Sequence, residues 1–248
     1  MKLSIRVFIY LLYTLFIITI CNSNIYCQKK KSNIKNEDTK QYKNTKGTKY
    51  AIWYLPTRAH KINGLAIGLV NSCENQNFQN ELIINGISFE VLGQFPIMIK
   101  QLVYPKKAPF CHSNYCKING FATGLSIGNG ILNGVAVSPT LGYLFNMNGI
   151  FISLIHHVSQ NANGIIVGFM SRAKKITGLQ LALFTKNNIL KGLQIGLSNR
   201  TKEQTNGCQI GLINSSENLD GVQIGILNYA KNKKIKYLPI INFHFKKQ

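Results

Sequence analysis

The chain has 248 residues and a formal charge of +21, from 29 basic and 8 acidic side chains, with 45% hydrophobic residues. That length suits one large domain or a continuous repeat array, and so few acids leave little scope for paired-carboxylate chemistry. The basic residues fall in connections and tails with no interleaved aromatic stripe, so nucleic acid is excluded as a partner.

At the N-terminus, Lys2 and Arg6 precede an apolar run from Val7 to Ile20, and Asn22-Ser23-Asn24 follows. This pattern predicts a secretory signal over residues 1–27, cleaved near Ser23 or Cys27. The run is shorter than the roughly 20 apolar residues a membrane-spanning helix needs. Lipidation at Cys21 is disfavoured, because Ile20 stands where a small residue is expected. Residues 28–49 are rich in Lys, Asn and Thr and poor in apolar side chains, which predicts a flexible spacer. The repeat domain is expected over 50–248, with order beginning at Tyr50-Ala-Ile-Trp-Tyr-Leu55.

A phrase then recurs: Gly192-Leu-Gln-Ile-Gly-Leu-Ser-Asn199, Gly207-Cys-Gln-Ile-Gly-Leu-Ile-Asn214 and Gly221-Val-Gln-Ile-Gly-Ile-Leu-Asn228. Degenerate copies start at Gly64, Gly86, Gly120, Gly134, Gly149, Gly164 and Gly178, and from Gly120 onward the steps are 14, 15, 15, 14, 14, 15 and 14. A fixed period means that one supersecondary unit is copied. With the first Gly as position zero, positions one, three and five are aliphatic, as in Leu193, Ile195 and Leu197, while position four is small, as in Gly196, Gly211 and Gly225. Alternation with period two belongs to a strand with one aliphatic face. Asn-Gly pairs such as Asn63-Gly64 and Asn206-Gly207 tolerate positive φ and suit tight turns or bulges at strand entry.

Two all-β architectures compete. One strand of about nine residues with a tight turn matches a tilted transmembrane strand. A parallel solenoid also repeats directly, but each coil needs a second core wall, and the stretches available for one, such as Arg200 to Thr205, are polar. The expected fold is therefore an antiparallel meander β-barrel of about 12 strands, with the aliphatic face outward to lipid and the small and amide side chains inside. A β-solenoid is the alternative, surviving only if two repeats make one coil. Tyr50, Trp53 and Tyr54, with Tyr237 and Phe243 at the other end, would form an interfacial girdle.

The phrases beginning at Gly192 and Gly221, with Leu238-Pro-Ile-Ile-Asn-Phe243 at the end, resemble the surface repeat-containing proteins of spirochaetes and Bacteroidota, over about residues 62 to 245. That resemblance implies export and a cell-surface or outer-membrane location, sometimes as a lipoprotein, with no established enzymatic activity and no known functional residues to carry over. The chain departs from the pattern in its interruption between Gly86 and Gly120 and in Glu90, which occupies a usually small position.

No catalytic constellation stands out, so no enzyme activity and no cofactor are expected. Ser126 sits in Gly124-Leu-Ser-Ile-Gly128, a degenerate repeat copy with no helix after it, not a nucleophile elbow. Adjacent on one strand, His156 and His157 point oppositely and cannot share a metal; surface positions are expected for both. Cys111 and Cys116 could close a small disulfide loop in an oxidising compartment, whereas a metal site with His112 lacks a fourth ligand. Glu90 is the candidate lumen-facing residue. The functional expectation is an exported outer-membrane or cell-surface barrel with a structural, interaction or permeation role and outer-membrane lipid or lipopolysaccharide as partner. The alternative is a secreted β-repeat binding protein, adhesin-like, that takes a protein or host ligand.

Overall fold

The computed structural model describes residues 47–55, 59–70, 82–93, 116–128 and 130–245. The expected signal, the spacer up to residue 46, Cys21 and Cys111 lie outside the described residues.

The repeats form a parallel β-solenoid of about ten turns, and the expected barrel is overturned. The strands are β1 (Thr48–Leu55), β2 (Lys61–Val70), β3 (Leu82–Gly93), β4 (Cys116–Gly124), β5 (Ser126–Gly128) and β6 (Ile131–Leu144), followed by β7 (Asn146–Ile195), β8 (Ser198–Ile210), β9 (Ile213–Ser216), β10 (Leu219–Ala230) and β11 (Tyr237–His244). Neighbours pair in the order β1-β2-β3-β4-β6-β7-β8-β9-β10-β11, with β5 on β6 and β8 also on β10. β7 is one continuous extended segment of 50 residues that winds through successive coils. Every pairing from β1 to β10 is parallel, and the repeat glycines stack on one another: Gly64 on Gly86, Gly86 on Gly120, Gly192 on Gly207, Gly207 on Gly221. One repeat therefore makes one coil, not half of one.

Each C-terminal coil has two strand segments. The first carries the repeat glycine; bends at Gly196-Leu197 and Gly211-Leu212 lead into the second, which pairs Asn199 with Asn214 and Asn214 with Asn228. Side chains two residues before and two residues after the repeat glycine turn inward from the first segment. In the N-terminal half these are Ile62, Ile84, Leu132, Phe151 and Ile166, all without solvent exposure. Towards the C-terminus the interior becomes amide-rich: Gln194, Gln209, Gln223, Asn214 and Asn228 are equally buried.

That interior explains why the sequence points to a barrel. A second wall of polar residues is untenable if each must find its own partner, but in-register stacking places identical side chains one strand spacing apart. Gln194 donates to Gln180 at 2.9 Å, Gln209 to Gln194 at 2.6 Å and Gln223 to Gln209 at 2.8 Å. On the opposite wall Thr185 donates to Asn199 at 2.9 Å, Asn199 to Asn214 at 2.8 Å and Asn214 to Asn228 at 2.8 Å. Buried amides satisfied in this way carry no desolvation penalty from missing partners.

The Asn-Gly pairs do not make turns. Their glycines have φ between +126° and +142°, the positive φ that the pairs predict, yet they lie inside continuous strands. At Gly207 (φ +140°) an added Cβ would drive into the carbonyl oxygen of Gly192 on the preceding coil.

The stack ends in β11, which runs antiparallel to β10 with Ile224 opposite Ile241 and Gly221 opposite His244. Asn242 donates to Gln223 at 2.9 Å and accepts from Lys233 Nζ at 2.6 Å, so a charge-assisted bond closes the Gln ladder. The expected aromatic girdle does not form. Tyr50, Trp53 and Tyr54 sit on the first strand of the order, and Tyr237 and Phe243 on the last.

Candidate functional site

Odd positions after the repeat glycine face away from the core, as the alternation predicted. Because the coils stack in parallel, three aliphatic columns run side by side along the solenoid. The outermost, five residues after the glycine, includes Leu69, Leu154, Leu183, Leu197, Leu212 and Ile226, which are 39–70% exposed. Beside it, Ile67, Ile152 and Ile224 are about 40% exposed. None of the three columns carries a charged side chain among the described residues. About ten coils at a strand spacing of ~4.8 Å, and a width of about four residues at ~3.3 Å, give a face of roughly 600 Å². That is the upper end of the largest apolar patch on a typical monomer, about 300–600 Å².

Next to this face, at the start of each first segment, runs an outward column of asparagines. Asn85 donates to Asn63, Asn119 to Asn85, Asn133 to Asn119, Asn148 to Asn133 and Asn163 to Asn148, each at 2.8 Å. Two residues before it, Asn161 donates its backbone N–H to Asn146 Oδ1 at 3.1 Å. Together these columns floor an open groove of about 530 Å³ that also meets Lys117, Ile131 and Lys175. The sequence contained the signal for it, an Asn before seven of the ten repeat glycines, but that signal also fits a turn. On the second segments Lys186 stands in register with Arg200, and His157 stacks on Tyr143 at 4.8 Å between ring centroids.

The residues singled out in the sequence do not come together. Glu90 turns inward as expected and is only 6% exposed, but it enters a packed core and not a lumen, so a pore-lining role is withdrawn. Burial pushes its carboxyl up to about 7. His156 is not a surface histidine: it is fully buried, packs edge-on against Phe151 at 4.6 Å, and fits because Gly168 leaves room for its ring. Burial lowers it to about 4; the backbone of Met170 and Phe151 softens that shift, though neither ring nitrogen reaches hydrogen-bond geometry. His157 is half-buried and points to the other side, so the two histidines share no ligand.

Ser126 Oγ is buried and donates to the Leu92 carbonyl at 3.0 Å, which leaves its proton on a backbone acceptor. Cys116 is disulfide-bonded, while Cys111, its expected partner, lies outside the described residues. Cys208 is free. Among the described residues no cluster of His, Cys, Asp or Glu could hold a metal, and no helix is long and apolar enough to cross a membrane.

No family model, curated protein or solved structure matches this chain.

Proposed function

We propose that this is an exported β-solenoid binding protein that lays its aliphatic sheet face on anionic envelope lipid, with no catalytic activity of its own. The observation that carries this reading is the outward direction of the three aliphatic columns, from Ile67 and Leu69 at one end to Ile224 and Ile226 at the other. A row of half-exposed aliphatics on a rigid, flat support is unfavourable in water and is stabilised by burial at roughly 25 cal/mol per Å². Charge favours an anionic surface over another oily one: the chain carries +21, and Lys117 and Lys175 flank the face on its amide side. Export and a surface location are supported by the leader-like residues 1–27 and by the resemblance of the repeat phrases to exported surface proteins.

Vesicle flotation tests this. The protein should float with vesicles containing phosphatidylglycerol and not with pure phosphatidylcholine, and high salt should weaken the association. A protein that stays at the bottom of the gradient with both, or that forms a face-to-face dimer in solution, overturns the lipid assignment.

A further inference from the structure

We infer that the amide groove beside the aliphatic face is a binding site for an acidic saccharide. In an inner rung of the ladder, such as Asn148, the side-chain amide spends one N–H on Asn133 and one oxygen lone pair on Asn163. An amide has two donors and two acceptor positions, so one of each is left over on the inner rungs Asn133 and Asn148, which line the groove. Asn148, Asn161 and Asn163 are exposed, and their ladder bonds hold them in fixed orientation at one strand spacing. Alternating donors and acceptors at a regular interval match a ligand that presents hydroxyls along its length, each both donor and acceptor. An apolar or purely anionic ligand would leave half of that array unpaired.

The sign of the ligand's charge follows from the ends. Lys117 and Lys175 stand four coils apart, about 19 Å at ~4.8 Å per coil, and among the described residues no acidic side chain lines the groove. The groove of about 530 Å³ has room for several linked sugar rings. Saccharide binding rests on the asparagine ladders, which lie outside the three aliphatic columns, while Lys117 and Lys175 flank both surfaces.

Calorimetric titration of the full chain with an oligogalacturonide, with a neutral chito-oligosaccharide as comparison, tests the assignment. The acidic oligomer should bind and the neutral one should bind at least about tenfold more weakly, as loss of charge-assisted contacts implies. A basic chain attracts any polyanion, so the variants decide. Asn148→Asp and the pair Lys117→Ala with Lys175→Ala should each weaken binding about tenfold or more, whereas the remote pair Lys202→Ala with Lys234→Ala should change it less than about twofold. Asn148→Leu, which removes the amide without changing charge, should also weaken it. Equal loss in the remote lysine pair, unchanged binding in Asn148→Leu, or equal affinity for the neutral oligomer each overturn the site. Leu197→Glu with Ile226→Glu, which attacks lipid docking, should leave saccharide binding intact, so failure of one assignment is separable from failure of the other.

Discussion

Gln209 donates its side-chain amide to Gln194 at 2.6 Å in an interior where neither residue is exposed to solvent. The same Gln209 donates to Thr201 at 3.1 Å and accepts from Gln223 at 2.8 Å, so it is the middle rung of a wall. Gln209→Leu keeps the volume and removes every one of those bonds. The Gln194 carbonyl then has no donor above it, and an orphaned buried polar group costs about 1–3 kcal/mol. We expect a loss of roughly 2–4 kcal/mol in urea unfolding, larger than an apolar interior site would show for a swap of similar volume. A loss under about 0.5 kcal/mol would mean that the ladder is not what satisfies these amides.

Backbone geometry gives a second expectation. Gly207→Ala places a Cβ against the Gly192 carbonyl at φ +140°, where relief by a rotamer change is impossible. Destabilisation should exceed about 2 kcal/mol, while Gly47→Ala, with nothing near its added Cβ, should be close to neutral. Thermal melts of the two variants side by side suffice.

Two buried titratable groups set opposing pH slopes. Glu90 rises from 4.5 unfolded to about 7 folded, so its contribution is fully present below pH 4.5 and is lost as pH climbs through 7. His156 falls from 6.5 to about 4, so its contribution is fully present above pH 6.5 and is lost as pH drops through 4. Each amounts to about 3 kcal/mol, and between pH 4.5 and 6.5 they offset one another. Glu90→Gln should therefore raise stability at pH 8 and expose an acid-labile slope, while His156→Gln should leave stability falling from pH 4.5 to 7. Denaturation midpoints measured across pH 4 to 8 for the three proteins check the signs.

Lipid docking predicts that Leu197→Glu with Ile226→Glu abolishes vesicle association without lowering the melting temperature, because both side chains are exposed and support no core contact. Loss of folding in that variant would instead place these leucine and isoleucine columns in the stability of the coil.

The period, the strand character, the inward turn of positions two and four and the positive φ of the repeat glycines were all legible in the residues, because each follows from local alternation or from sterics. Strand direction was not. It rests on contacts between coils, in the C-terminal half those of buried Gln194, Gln209 and Gln223 with one another, and a lone sequence position gives no account of a partner one full repeat away. Requiring an apolar second wall placed the solenoid behind the barrel, as the alternative, whereas Asn199, Asn214 and Asn228 build that wall from mutual hydrogen bonds. The groove was missed for the same reason: Asn133 and Asn148 looked like turn formers until their stacking made them a surface.

The antiparallel β11, held by Asn242 and Lys233, has a consequence for the growth of the molecule. Each coil from Gly178 to Gly221 offers its successor the same register and the same direction of amide donation, so copies could be gained or lost in the gene without a new kind of interface. Among the described strands, β11 alone pairs antiparallel. It acts as a stopper whose position fixes the reach of the body, in increments of one strand spacing, while the cross-section stays constant.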